Sequence, residues 1–178
     1  MPAAPAPGGR PAARPGAARR PPSGWEGAPV LGSGGGCLSR RVEEVMSSPP
    51  IVAGVGERLS SAARRMYEAG VGSVIVVDAS GRLAGILTKT DILRLLAMGA
   101  AARDPRLGDV MTLNVITARP WEPLGAAEER MRELGIRHLP VVDEEGVPRG
   151  MLSYTDILRA LLDCMKAHTG QQPPRPGA

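Results

Sequence analysis

The chain has 178 residues, enough for one ordinary domain or two very small ones, and 43% are hydrophobic, so a real core is available. There is no Phe, and the aromatics are Trp25, Tyr67, Trp121 and Tyr154, so packing must be aliphatic and a single-stranded nucleic-acid surface built on aromatic stacking is disfavoured. The net charge of +4 is uneven: residues 1–41 hold six Arg against Glu26, a net of +5, whereas the rest holds 16 basic and 17 acidic groups, a net of −1.

In chain order, residues 1–38 are rich in Pro, Ala, Gly and Arg and bury too little apolar surface to offset chain entropy, so they read as a disordered basic tail. That tail is either passive, a weak holder of acidic partners such as nucleic acid, or a segment preceding a true start near residue 40. Cys37 lies in a Gly-rich stretch and Cys164 in an expected helix. No Cys/His spacing suggests a metal, and a reducing cytoplasm is the expected setting. No run approaches the roughly 18 apolar residues of a membrane span, and the N-terminus lacks the apolar stretch of a secretion signal. Residues 169–178 read as a frayed end.

Between these ends the chain repeats itself at a shift of 65 residues. Val45-Met46 falls on Val110-Met111, Met66 on Met131, Gly70 on Gly135, Val76-Val77-Asp78 on Val141-Val142-Asp143, and Gly85 on Gly150. The first copy spans 39–98, a linker 99–106, and the second copy 107–168. One copy is too small to bury a good core alone, so the two should pack together.

Each copy opens with a short strand near Ile51-Val52, or Val115-Ile116. An amphipathic helix follows, with Leu59, Ala62, Ala63, Met66 and Tyr67 on its apolar face, or Leu124, Ala127, Met131 and Leu134. Gly70 and Gly135 are natural helix stops. The β-branched runs Ser73 to Val77 and His138 to Val142 read as buried strands, and Asp78 to Gly81 and Asp143 to Gly146 as hairpin turns. A third strand and a second helix complete a β-α-β-β-α unit, used twice, which makes the fold class α/β in the α+β sense. The repeat-equivalent Met46, Met66, Met111 and Met131 belong to the core. Trp121 is expected to cover an apolar edge or to mark a dimer contact.

The junction between third strand and second helix is written twice, as GILTKTDIL (Gly85 to Leu93) and GMLSYTDIL (Gly150 to Leu158). Thr90 or Asp91 can cap the helix, and the glycine can ease a close backbone approach. Capping by those residues leaves the hydroxyls Thr88 and Ser153 unexplained. A hydroxyl at the strand end and a carboxylate at the helix start point towards one crevice, next to a helix N-terminus suited to an anion.

These stretches, with VEEVMSSPPIVA, LGDVMTLNVITA, GVGSVIVVDASGRLAG and GIRHLPVVDEEGVPRG, resemble a stand-alone tandem pair of cystathionine-β-synthase (CBS) domains over about residues 40–165. The resemblance implies two repeats packed as a pseudo-twofold module, with clefts for AMP, ADP, ATP or S-adenosylmethionine-like ligands. It implies one site built on Thr88 and Asp91 with Asn114, Val115 and Ile116, and a second on Ser153 and Asp156 with Pro50, Ile51 and Val52. Arg137 and His138 are expected to reach phosphate in the first, and Gly72 and Ser73 at the equivalent positions leave the second poorer in positive charge. No oriented nucleophile, metal cluster or P-loop is legible, so the expectation is a regulatory adenosine-nucleotide sensor without catalysis and without a cofactor. It would act on a separate, unknown protein and pair as a homodimer, with Leu93, Leu95, Leu96, Leu158, Leu161 and Leu162 serving either as the contact surface or as helical core. The alternatives are nucleic-acid binding through the tail, and a structural dimerisation module with empty clefts.

Overall fold

The computed structural model describes residues 36–169. The tail reading over residues 1–35 and the frayed end over 170–178 lie outside the described residues. Residues 36–38, expected to belong to the tail, are instead folded. Leu38 packs against a buried cluster, and its carbonyl accepts a 3.0 Å hydrogen bond from the Gly125 amide.

A 3-10 turn at Val42–Glu44 precedes β1 (Val52–Gly54), α1 (Leu59–Glu68), β2 (Ser73–Val77), β3 (Leu83–Thr88) and α2 (Lys89–Ala97). A second 3-10 turn at Ala100–Arg103 leads to the short α3 (Leu107–Val110), then α4 (Leu124–Leu134), β4 (His138–Val142), β5 (Pro148–Ser153) and α5 (Tyr154–Thr169). β1 runs parallel to β2, and β2 antiparallel to β3, in one three-stranded sheet. β4 and β5 form an antiparallel pair. The β2 and β4 runs are buried nearly throughout, as their β-branched sequence requires.

The opening strand differs between the copies. The expected strand at Val115-Ile116 is replaced by a single parallel bridge, Ala118 with Val141. The cause is two prolines, Pro140 and Pro120. The Ile75 amide donates to the Ile51 carbonyl at 3.0 Å, and its equivalent Pro140 has no N–H to give to Ile116. The Val55 amide donates to the Val77 carbonyl at 3.0 Å. Its equivalent, Pro120, has no N–H to give to Val142. The Arg119 guanidinium donates to the Val142 carbonyl instead, at 3.3 Å.

The core falls into two clusters, and each takes its neighbour's leading segment. Val42 is fully buried among Leu124, Met131, Leu139 and Leu152 of the second copy. Leu107 is fully buried among Leu59, Met66, Val74 and Leu87 of the first. Burying a Val or Leu fully is worth about 1.5–3 kcal/mol, so each segment is anchored across the boundary. The bridges match: Ser47 pairs with Met151 on β5, and Thr112 with Ile86 on β3.

This crossing explains the motif glycines. A Cβ at Gly85 would sit 2.9 Å from the Thr112 carbonyl oxygen, and one at Gly150 3.0 Å from that of Ser47, with the Met111 and Met46 thioethers also in the way. Met66 and Met131 are buried, and Met46 and Met111 are partly buried against the two clusters. Tyr67 and Leu134, expected on the apolar helix faces, are exposed: Tyr67 lies about 100° round its helix from the buried Met66, and Leu134 is the last residue of its helix. Leu95 is buried and Leu161 packs on a cluster, whereas Leu93, Leu96, Leu158 and Leu162 are exposed. Trp121 is also exposed.

Candidate functional site

The end of β3 turns directly into α2 through a reciprocal capping box. The Asp91 amide donates to Thr88 Oγ1 at 3.3 Å, while the Thr88 amide and hydroxyl donate to Asp91 Oδ2 at 2.9 and 2.7 Å. The start of α5 repeats this, with the Asp156 amide donating to Ser153 Oγ at 3.3 Å and the Ser153 amide and hydroxyl donating to Asp156 Oδ2 at 2.8 and 2.5 Å. Here the sequence reading was wrong in one respect. Thr88 and Ser153, taken as unexplained by capping, are themselves the caps, with Asp in place of the usual Glu three residues on. The hydroxyl and carboxylate pattern therefore has a complete local explanation, and a ligand argument must rest on what surrounds it.

Two clefts surround it. The first has a volume of about 680 Å³ and is lined by Thr88 to Asp91, by Thr112 and Asn114 to Ile116, and by Gly135 to His138. Thr88, Asp91, Asn114, Val115, Ile116, Arg137 and His138 thus face one space, although they come from three separate stretches of chain. The second cleft, about 480 Å³, is lined by Ser47, Pro49 to Ile51, Gly70 to Ser73, Met151, Ser153, Thr155, Asp156 and Arg159. Pro50, Ile51, Ser153 and Asp156 meet there. Val52 does not, because successive strand side chains point to opposite faces and Val52, between Ile51 and the buried Ala53, is exposed.

The remaining oxygen of each carboxylate is treated differently. Asp91 Oδ1 accepts from Arg94 at 3.0 Å. Asp156 Oδ1 accepts from the Ser47 hydroxyl at 3.4 Å, with Arg159 4.0 Å away. One wall is common to both clefts. His138, Gly72 and Lys89 line each of them, and a Cβ on Gly72 would lie 2.8 Å from His138 Nε2. The histidine of one repeat fills the space that the glycine of the other leaves. Burial pushes the His138 imidazole below its ordinary value; Asp156 opposes this, and Arg137 and Lys89 add to it. The expectation that the second cleft lacks the Arg137-His138 pair and is poorer in positive charge is therefore corrected in part. Lys89, Arg159 and His138 all line it, and only Arg137 is confined to the first. Sequence reasoning missed Arg159, which follows the motif hydroxyl Ser153 by six residues and looks like a solvated helix charge.

The family model for the CBS domain matches residues 42–98 and 107–163. The chain belongs to the CBS domain family. Among solved structures, this CBS pair is similar to that of protein MJ0100 in complex with 5′-methylthioadenosine and S-adenosyl-L-methionine. The TM-score is 0.65 at 31% identity, covering 70% of this chain and 97% of that one. It is also similar to a CBS domain protein of Pyrobaculum aerophilum complexed with AMP, with a TM-score of 0.63 at 26% identity, covering 70% and 99%. Among curated proteins, the homoserine O-acetyltransferase of Methanohalobium evestigatum is 35% identical over 106 residues, which cover 60% of this chain and 21% of the enzyme. The chain spans between 21% and 40% of the length of the first curated relatives it matches. Among the described residues no group of three or more His, Cys, Asp or Glu is placed to hold a metal ion, and no helix is long and apolar enough to cross a membrane.

Proposed function

We propose that this CBS pair is a regulatory module that binds an adenosine compound in its first cleft and passes the occupancy to a separate protein, without chemistry of its own. The observation that carries this reading is the convergence of Asp91, Asn114 to Ile116 and Arg137-His138 on one space of about 680 Å³, within the range of small-molecule sites. The apolar Val115 and Ile116 suit a base, Asp91 a ribose diol, and Arg137 a phosphate through bidentate, charge-assisted bonds. The similar CBS structures that carry AMP, or methylthioadenosine with S-adenosylmethionine, support the same ligand class. The ligand acts only by binding one packing of the two repeats more tightly than another. Isothermal titration of the full chain with AMP, ATP and S-adenosylmethionine tests the reading. Arg137→Glu is expected to weaken AMP about tenfold or more, a loss of about 1.4 kcal/mol, and to leave S-adenosylmethionine, which has no phosphate, nearly unchanged. Failure of all three compounds to bind would sink it.

The module is further proposed to pair with a second copy through α2 and α5, where Leu93 and Leu96 are 66% and 59% exposed and Leu158 and Leu162 are 56% and 47% exposed. Light scattering should give twice the chain mass for the native protein and the single-chain mass for a Leu96→Glu, Leu162→Glu double variant.

A further inference from the structure

Cys37 and Cys164 are joined as a disulfide across a separation of 127 residues, with their Cα atoms 5.6 Å apart. Its place in the repeat gives it meaning. At the 65-residue shift, Cys164 is equivalent to Gly99 and Cys37 to Ala102. In the first repeat those two positions are consecutive turns of one peptide. α2 ends, the chain folds back through the 3-10 turn Ala100–Arg103, and Ala100 and Ala101 pack on the core before α3 enters it. At the equivalent place in the second repeat the peptide is missing, because one side is the arm of residues 36–47 and the other the end of α5. The sulfur–sulfur bond stands where the linker stands in the other half.

We propose that Cys37 and Cys164 form a thiol–disulfide latch, which holds the 36–47 arm in the second repeat and thereby sets the wall of the Asp156 cleft while leaving the Asp91 cleft alone. The arm reaches that cleft directly. Its Ser47 amide and carbonyl bond to Met151 on β5, its Ser47 hydroxyl bonds to Asp156, and Pro49 to Ile51 follow as lining. The Asp91 cleft takes its equivalent wall from Thr112 to Ile116, which the peptide linker holds in either state.

Closure needs a disulfide oxidant, such as glutathione disulfide or an oxidised dithiol protein. One cysteine thiolate attacks it, forming a mixed disulfide and expelling one thiol. The second thiolate attacks the protein sulfur of that intermediate, forming the internal bond and expelling the second thiol. Two protein thiols lose two electrons and two protons, and one external disulfide becomes two thiols. A dithiol reductant runs the exchange backwards.

The test compares the full chain treated with glutathione disulfide and with dithiothreitol, by intact mass and by hydrogen exchange. The amides of Val42, Glu43, Ser47, Leu124 and Gly125 report the arm through their cross-boundary bonds, and those of Leu107, Gly108 and Thr112 report the linker. Reduction is expected to speed arm exchange about tenfold or more, as a sub-global opening, and to leave the linker unchanged. Cys37→Ser should show fast arm exchange under both treatments, with the slow linker proving that it is folded. Two unreacted thiols or two glutathione adducts after oxidation, or equal arm exchange in both states, would overturn the latch. The cleft effect rests on the ligand reading above. If AMP binds at two sites, reduction should weaken only the one sensitive to Arg159→Glu, and loss at both or neither would refute that selectivity. If AMP binds in no state while arm exchange still responds, the ligand reading fails and the latch stands.

Discussion

Residues 102–111 and residues 37–46 occupy equivalent places in opposite halves of the molecule, yet different bonds hold them. The first segment follows α2 through the 3-10 turn and contains α3, and Asp104 ties it to α1. Its Oδ1 accepts from the Ser60 amide at 2.8 Å and its Oδ2 from the Ser60 hydroxyl at 2.9 Å. Asp104 reaches this position from a left-handed backbone, φ 44°, a conformation that Asp tolerates better than most residues. The second segment has Ser39 in place of Asp104, and the Ser39 hydroxyl bonds only within its own turn, to the Gly36 carbonyl. The disulfide does there what peptide continuity and a distant cap do in the other half. Two repeats of nearly one design thus differ where a peptide linker in one half is matched by a disulfide in the other.

Substitution at the anchors tests the shared part of this arrangement most strongly. Leu107→Ala removes a fully buried side chain and should lower the unfolding free energy by about 2–5 kcal/mol, read from urea denaturation. Because Leu107 belongs to the other repeat's core, the loss should appear in both halves at once, as one transition. Reduction of the disulfide is next, at about 2–4 kcal/mol, seen as a lower denaturation midpoint in dithiothreitol that the Cys37→Ser variant no longer shows. Gly85→Ala and Gly150→Ala come third. Each places a methyl against a backbone carbonyl that cannot yield, which should cost about 1–3 kcal/mol. Similar losses in the two variants would mean that both motif glycines serve the crossing segments and not a ligand.

The smallest effects are pH dependences, and they separate the halves. The Ser60 amide, then its hydroxyl, holds the Asp104 carboxyl below its ordinary value of 3.8. Its contribution is complete above that value and is lost as pH falls through the lower folded one. Asp104→Ser should therefore flatten the acid limb of a melting-temperature profile. His138 behaves in the opposite chemical sense but with the same sign. Burial depresses its folded pKa below 6.5, so between the two values the unfolded chain binds more protons and stability rises with pH. The melting temperature should decline as pH drops below 6.5, and His138→Gln should remove that slope. A nucleotide phosphate in either cleft favours the imidazolium, so the slope should also shrink when AMP is present.

Much of the molecule was legible residue by residue. The strands Ser73–Val77 and His138–Val142 are where β-branched runs between turn residues put them, since a buried strand needs little more than local shape and hydrophobicity. The grouping of Asp91 with Asn114 to Ile116 and Arg137-His138 was legible only through family resemblance, as no periodicity within the chain links stretches 21 to 47 residues apart. The capping role of Thr88 and Ser153 is written in the T-x-x-D and S-x-x-D spacing, but Thr90 and Asp91 are cap-type residues as well, and only the backbone shows which of them precedes the first helical turn. The loss of the β1 equivalent was also within reach, because neither Pro120 nor Pro140 can donate.

Repetition, hydrophobic pattern and turn chemistry are local properties, and they determined the elements, their order and the need for two copies to share a core. The exchange of Val42 and Leu107 between cores, the meeting of Cys37 with Cys164, and the common His138–Gly72 wall were decided in three dimensions. Each depends on which buried surface a segment finds when two similar halves compete for it. A leading segment adjoins its own repeat in sequence, but the free hydrophobic edge that accepts it lies on the other.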